Sequence, residues 1–205
     1  MDTARPYKAI CPTLDGEVLN VLAGTDRPLT GREVARLTGR ESHRGVLTVL
    51  NRLSGQGVVD RQIAGRALLY TLNREHVATP AVELLAGIRS ELIARIVTAI
   101  DSWTIAPVHL SLFGSFARGE GDSNSDIDVF VVRPKSVPED DAVWNEQIDE
   151  LLKAVWRWTG NSAGMNEIGE RDLAGLRVDE PPIVGNLRND AICLFGPDTA
   201  ELFGR

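Results

Sequence analysis

Apolar side chains recur every three or four positions in the first part of the chain, and this spacing predicts amphipathic helices. The first helix is expected over residues 14–23. The run Thr30-Gly31-Arg32-Glu33 has the residue types of a capping box, so a second helix is expected to begin at Gly31. A third amphipathic stretch follows over residues 42–54. The pattern therefore predicts three short helices in succession.

After these helices the spacing of apolar residues changes to that of strands. Residues 58–63 and 67–72 flank Ala64-Gly65-Arg66, an arrangement that predicts a β-hairpin. Thr79 and Pro80 then have the residue types of a helix start, and an apolar stripe predicts one helix from there to about Ile100. Residues 79–105 are expected to form a connecting or packing segment, whose helix either joins the two halves of the chain or packs its apolar face against the sheet of the second half.

Three short helices followed by a two-stranded hairpin resemble the winged helix-turn-helix domain of bacterial transcription regulators. The resemblance covers residues 14–72 and implies such a domain over residues 1–78. It implies duplex DNA as a partner, with the third helix in the major groove and the hairpin on the backbone. The expected DNA-binding residues are Arg44, Thr48, Asn51, Arg52, Arg61 and Arg66. The alternative is a protein-interaction module or a dimerisation module, the second of which would form a homodimer.

The second half of the chain alternates strand-like and helical patterns. Strands are expected over residues 108–113, 127–132 and 163–168, with a closing strand over residues 191–196. An amphipathic helix is expected over residues 141–159, and its end is marked by Gly160. These elements predict an α/β (α+β) domain over residues 106–205, with a small mixed sheet faced by helices.

The loop after the first of these strands carries the candidate chemistry. Gly114 lets the backbone turn sharply, so that amide groups and the Ser115 hydroxyl face a phosphate. Asp126 and Asp128 stand two positions apart at the start of the next strand and so share one face of it. Two carboxylates this close repel one another unless a cation lies between them, and oxygen ligands favour Mg²⁺ or Mn²⁺.

A strand, a Gly-Ser turn, a short helix with Arg118-Gly119, a polar loop and Ser125-Asp126-Ile127-Asp128 together resemble the minimal nucleotidyltransferases of the DNA polymerase β-like superfamily. The resemblance covers residues 108–196. It implies that Gly114 and Ser115 bind a nucleoside triphosphate (NTP) and that Asp126 and Asp128 are catalytic metal ligands. Arg118 is expected to contact phosphate or, alternatively, to brace the loop.

The family supplies a third acidic residue from a later strand, and here the sequence departs from the pattern. Residues 163–168 offer Glu167 and Asn166, which lie on opposite faces of a strand. Glu167 is the expected third catalytic and metal-binding residue. If Asn166 stands at the family position instead, catalysis is in doubt, although nucleotide binding can survive.

Charge also divides the chain. Residues 1–80 hold 11 lysines and arginines and 8 aspartates and glutamates, a net charge of +3, whereas residues 81–205 hold 11 and 21, a net charge of −10. Only the front half therefore has the positive net charge that favours nucleic acid.

The two cysteines and three histidines show no disulfide framework and no zinc-ligand spacing. With no long apolar segment, a cytoplasmic protein without membrane contact is expected.

The expected function is transfer of a nucleoside monophosphate from an NTP to a hydroxyl of a protein, a tRNA or a small molecule, with Mg²⁺ or Mn²⁺ as cofactor. By resemblance, the setting is a toxin–antitoxin or defence system. The competing hypothesis is a DNA-binding regulator whose transferase-like domain senses nucleotide or is inactive. Both aspartates favour the enzyme, and the uncertain third carboxylate favours the regulator.

Overall fold

The computed structural model describes residues 1–39 and 42–203. The chain forms two compact units. One unit is the continuous segment Pro6–Arg89, and the other combines Met1–Arg5 with the chain from Ser90 onwards. The five N-terminal residues thus belong to the unit formed by the rear of the chain, which the sequence did not predict.

The unit Pro6–Arg89 contains a bundle of short helices and a three-stranded sheet. In chain order its elements are α1 (Leu14–Ala23), β1 (Leu29–Thr30), α2 (Gly31–Leu37), α3 (His43–Gly55), β2 (Val59–Ala64), β3 (Ala67–Leu72) and α4 (Thr79–Ala86). Strands β2 and β3 form an antiparallel hairpin, and β1 pairs with the outer side of β3. Apolar residues of α1, α2, α3 and the sheet form one buried cluster that includes Val18, Val34, Leu50 and Tyr70.

Local sequence signals account for the starts of two of these helices. The Thr30 hydroxyl accepts a hydrogen bond from the Glu33 backbone N–H, and the Glu33 carboxylate accepts one from the Thr30 backbone N–H. These two bonds confirm the capping box. The hydrogen bonds that the Glu33 carboxylate accepts from the Thr30 backbone N–H, the Thr30 hydroxyl and Arg27 lower its pKa to about 2. The side chain of Ser42 caps α3 by accepting from the Gly45 N–H.

The long helix expected from Thr79 to about Ile100 is two helices. Helix α4 ends at Gly87, and α5 (Ile88–Asp101) follows directly. Glycine has the lowest helix propensity of the residues other than proline, and the helix is interrupted at Gly87 although the apolar stripe continues through it. Ala78, not Thr79, occupies the N-cap of α4. The division between the two compact units falls next to this break, so the expected connecting segment 79–105 is shared between them.

The second unit contains a four-stranded sheet and five α-helices beyond α5, counted over the described residues. They are β4 (His109–Phe113), α6 (Gly114–Arg118), β5 (Ile127–Arg133), α7 (Ala142–Thr159), β6 (Ala163–Gly169), α8 (Leu173–Asp179), α9 (Pro182–Asp190), β7 (Ile192–Phe195) and α10 (Thr199–Phe203). The strand order is β6-β5-β4-β7. Strands β5 and β6 are parallel, whereas β4 is antiparallel to both β5 and β7. The expected mixed sheet is therefore confirmed.

Helices cover both faces of this sheet. On one face, Val129 and Val131 of β5 pack in a buried cluster with Trp144 of α7 and Ile96 of α5. On the other face, Phe130 and Val132 contribute to a cluster with residues of α8, α9 and α10. Strand β5 is thus central and covered on both faces, while Asp126 and Asp128 lie at its exposed beginning. Within the described ranges, no helix combines the length and apolar character needed to cross a membrane.

Candidate active site

The two aspartates predicted from the sequence lie at the start of β5. Asp126 is exposed and immediately precedes the strand, and Asp128 is half-buried within it. Burial, together with the nearby charge of Asp126, raises the pKa of Asp128, and the Arg118 cation partly opposes the rise. The two carboxylates therefore experience each other's charge, as their spacing along the strand predicted.

The Gly-Ser turn lies directly against Asp128. Phe113, the last residue of β4, pairs with Asp128 across the sheet, and Gly114 follows it with a φ of +70°. A Cβ atom at Gly114 would lie 2.4 Å from Asp128 Oδ2. Both the backbone conformation and the contact therefore require glycine here. The turn brings Gly114 against Asp128, although the two residues are 14 positions apart in the sequence.

A second glycine lies on the other side of the Asp128 carboxylate. In the parallel pairing of β5 and β6, Gly164 is the partner of Asp128, and a Cβ atom there would lie 3.6 Å from Asp128 Oδ1. The carboxylate is thus flanked by two residues without side chains. Sequence reasoning missed Gly164 because only the strand register identifies it.

The polar loop between α6 and β5 is held by a buried asparagine. Asn161 is 3% exposed, and its Nδ2 donates hydrogen bonds to the backbone oxygens of Ser125 at 3.0 Å and of Asp122 and Ser123 at 3.4 Å. The carboxylate of Asp122 accepts from the Asn124 N–H and the Ser125 hydroxyl, and these bonds lower its pKa. Asn161 was also missed, because its contacts join residues distant in sequence. It fixes the path by which the chain reaches Asp126.

Arg118 braces the loop in this structure. Its Nε donates to Glu120 at 2.8 Å and its guanidinium contacts Asp190 at 3.2 Å, and both bonds raise its pKa. The sequence allowed Arg118 either to contact phosphate or to brace the loop, and the observed contacts are those expected for bracing the loop. A phosphate contact would require Arg118 to share its guanidinium with these carboxylates.

The structure does not bring Glu167 to the aspartate pair. Glu167 is the partner of Val131 in the register of β5 and β6, three positions beyond Asp128 and on the opposite face of the sheet. Its carboxylate accepts from Arg133 Nε at 2.6 Å and from the Trp144 indole N–H at 3.1 Å. Asn166 pairs with Phe130 and shares the face of Asp128. The expectation that Glu167 supplies the third ligand is corrected by this register.

We therefore expect Glu167→Gln to affect stability more than turnover. Glutamine removes the charged partner of Arg133, whose side chain is 13% exposed, and should lower the free energy of unfolding by about 1.5–3 kcal/mol. Any nucleotide transfer should fall far less than in an Asp128 variant. Urea unfolding and initial rates measured on the same preparation give both quantities. If Glu167→Gln abolished transfer at unchanged stability, Glu167 would regain its catalytic assignment.

A divalent cation fits this site only if the substrate supplies some of its oxygen ligands. Among the described residues, no group of three or more His, Cys, Asp or Glu side chains is placed to hold a metal ion. Asp126 and Asp128 alone remain, with the backbones of Gly114 and Gly164 next to the Asp128 carboxylate. Since Mg²⁺ is commonly bound by one or two carboxylates together with phosphate oxygens and water, this pair fits an ion that arrives with a nucleotide.

The six residues predicted to bind DNA are all exposed in the unit Pro6–Arg89. Helix α3 carries Arg44, Thr48, Asn51 and Arg52, and the hairpin carries Arg61 and Arg66. Three of them take part in local contacts, because the Thr48 hydroxyl donates to the Arg44 carbonyl and Arg52 pairs with Asp15 and Gln56. The outward side predicted for α3 is therefore polar and exposed.

A comparison with protein families finds a match within the second unit. Residues 93–179 match the family model described as "Nucleotidyltransferase domain". This segment begins within α5, ends with α8, and includes the Gly114 turn and both aspartates. None of the curated proteins matches the chain.

Two solved structures resemble parts of the chain. One, described as "Crystal structure of the toxin-antitoxin with AMP-PNP", is 20% identical, and the similarity covers 54% of this chain and 79% of that chain with a TM-score of 0.38. The other, RV1404 from Mycobacterium tuberculosis, is 22% identical, and the similarity covers 47% of this chain and 67% of that chain with a TM-score of 0.34. With TM-scores this low, neither structure identifies a function for this chain.

Proposed function

We propose, starting from the match of residues 93–179 to nucleotidyltransferase domains, that this chain transfers a nucleoside monophosphate from an NTP to a hydroxyl acceptor. The observation that carries the proposal is the position of the Asp128 carboxylate between Gly114 and Gly164. The glycine turn that could approach a phosphate and the two carboxylates thus lie at the same edge of the sheet, where β4 ends and β5 begins.

Each part of this edge has a role in the proposed reaction. The Gly114-Ser115 turn binds the triphosphate through backbone amides and the Ser115 hydroxyl. Asp126 and Asp128 hold a divalent cation, which when bound would neutralise charge on the phosphates. The acceptor oxygen forms a bond to the α-phosphorus, the bond from that phosphorus to the leaving pyrophosphate breaks, and a carboxylate or water takes the hydroxyl proton.

The acceptor class is the first question for experiment. The protein would be incubated with Mg²⁺ or Mn²⁺, cell lysate and each of the four NTPs, labelled at either the α- or the γ-phosphate. We expect label from the α-position to reach a protein, a tRNA or a small molecule, and label from the γ-position to leave as pyrophosphate. Transfer of the γ-label would indicate a kinase, and no transfer from any NTP would contradict the proposal.

A second function is favoured by the exposed face of α3. We propose that the unit Pro6–Arg89 is a winged helix-turn-helix domain that binds duplex DNA, while the other unit senses nucleotide or is inactive. The basic charge of residues 1–80 supports this proposal. So does the absence, among the described residues, of a third carboxylate beside Asp126 and Asp128.

Substitutions on α3 and the hairpin test this second function. Arg44→Ala should weaken DNA binding and relax sequence preference, because α3 would read the bases. Arg66→Ala should weaken binding to all sequences equally and reduce the salt dependence by about one counterion. Electrophoretic shifts of the full chain with its own promoter and a scrambled duplex, at two salt concentrations, measure both effects.

Arg27→Ala serves as the control for losing one exposed arginine elsewhere in the same unit. If it weakened binding as much as Arg44→Ala, the effect would be one of net charge and not of α3. If the wild-type protein shifted neither duplex at low salt, the unit would instead be a protein-interaction or dimerisation module.

A further inference from the structure

The N-terminal segment Met1–Arg5 packs beside the polar loop that leads into Asp126. The Ala4 N–H donates to the Gly121 carbonyl at 2.8 Å, and the Met1 nitrogen donates to Asn161 Oδ1 at 2.7 Å. Asn161 is the residue that also holds the polar loop, so a single buried side chain connects the segment to the chain leading into Asp126. The segment is thus bonded once to the loop itself and once to the asparagine that holds the loop.

Thr3, between these two anchors, is buried without a hydrogen bond. It is 1% exposed, and among the described residues its hydroxyl has no hydrogen-bond partner. A buried hydroxyl in this state is unfavourable, and native structures rarely retain one without a reason. The methyl group of a valine would fill the same space without that cost. The retained hydroxyl therefore requires an explanation.

The position of Thr3 supplies one. A Cβ atom at Gly121 would lie 2.1 Å from Thr3 Oγ1 and 3.2 Å from Ser115 Oγ. Both hydroxyls therefore lie against the same point of the Gly121 backbone, and only glycine there lets them approach it. Ser115 is the residue whose hydroxyl faces phosphate in the proposed function. A hydroxyl group can donate one hydrogen bond while it accepts another.

We propose that Thr3 is a positioning residue for Ser115 in nucleotide binding, an inference that rests on the proposed function. With an NTP bound, the Ser115 hydroxyl donates to a phosphate oxygen and accepts a hydrogen bond from Thr3 Oγ1. The buried hydroxyl of Thr3 then gains the partner that it lacks in the free protein. Because this bond forms only with nucleotide present, its free energy contributes to nucleotide affinity and not to the stability of the free fold.

Nucleotide titrations of the full chain test this inference. ATP, GTP, CTP and UTP would each be titrated with Mg²⁺ by calorimetry without acceptor, and the tightest would be used for variants. Thr3→Val should raise Kd by about fivefold, as expected for one lost hydrogen bond. Thr3→Ser keeps the hydroxyl and should restore most of the affinity. The thermal midpoint of Thr3→Val without nucleotide should be unchanged or higher.

A double-mutant cycle separates positioning from packing. In a Ser115→Ala background, Thr3→Val should have no further effect on Kd, since the two hydroxyls act through one bond. Thr98→Val, which removes an exposed threonine hydroxyl in the same unit, should leave Kd unchanged. Additive effects of Thr3→Val and Ser115→Ala, or loss of affinity only in step with a lower thermal midpoint, would overturn the inference.

The outcomes also distinguish this inference from the proposed function. If the wild-type protein binds no NTP, the proposed function fails and the role of Thr3 fails with it. If the wild-type protein binds NTP and Ser115→Ala weakens binding while Thr3→Val does not, the nucleotide site stands and only the role of Thr3 is excluded.

Discussion

Replacing Asp126 and Asp128 together by asparagine is expected to abolish nucleotide transfer and leave the fold intact. The two carboxylates are the proposed ligands of the cation, and no third acidic side chain among the described residues is placed to replace them. The loss of activity should exceed about 100-fold, the upper value for residues that only support a metal ligand. Stability should be unchanged or higher, because burial and the charge of Asp126 both disfavour ionised Asp128.

The comparison requires a variant that loses charge elsewhere in the same unit. Asp101→Asn changes an exposed aspartate at the end of α5 and should retain full transfer. Transfer rates, with circular dichroism to verify folding, would be measured for both proteins. Wild-type rates in a folded Asp126→Asn, Asp128→Asn double variant would exclude this edge of the sheet as the active site.

Gly114→Val is expected to have the second largest effect. A residue with a side chain pays about 1–2 kcal/mol for the left-handed backbone at this position, and valine adds a branched Cβ that meets the Asp128 carboxylate. The displaced carboxylate and the blocked turn should weaken NTP binding and lower transfer about 100-fold, as for a 1 Å misplacement of a reacting group. Ser115→Ala, which keeps the turn, should be milder.

Gly160→Val is the matched control for this substitution. Gly160 has a φ of +73°, close to that of Gly114, but a Cβ atom there meets no other atom within 4 Å. The Gly160→Val variant therefore has the same unfavourable backbone conformation as Gly114→Val but lacks the steric clash with Asp128. Calorimetric NTP titrations and transfer rates should separate the two variants clearly. Equal losses in both would attribute the effect to destabilised backbone and not to the phosphate-binding turn.

Local patterns in the sequence were sufficient for the parts of the fold that depend on near neighbours. The capping box of Thr30 and Glu33 needs only four consecutive residues, and the structure contains it. The Gly114 turn lies between two strands with strong apolar patterns, so its position followed from them. Asp126 and Asp128 are related by strand alternation alone. These features were predictable because each is determined within a few residues.

Features that depend on long-range pairing were not predictable in the same way. A shift of one residue in the register of β5 and β6 would exchange the faces of Asn166 and Glu167, and nothing in either strand's sequence fixes that register. Gly164, Asn161 and Thr3 acquire their roles only through partners far away in the chain. The helix break at Gly87 was missed for another reason, since the apolar stripe continues through it.

The division of the chain into two units also separates its fluorescent residues. All four tryptophans, Trp103, Trp144, Trp156 and Trp158, belong to the unit that carries the aspartate pair, and both tyrosines, Tyr7 and Tyr70, belong to the unit Pro6–Arg89. Tryptophan emission therefore reports on one unit alone during denaturation. The buried Trp144 indole, bonded to Glu167 and in edge contact with Trp103, should shift strongly to longer wavelength when that unit melts. Since far-ultraviolet circular dichroism records both units, non-coincident curves from the two methods would reveal independent unfolding without any introduced label.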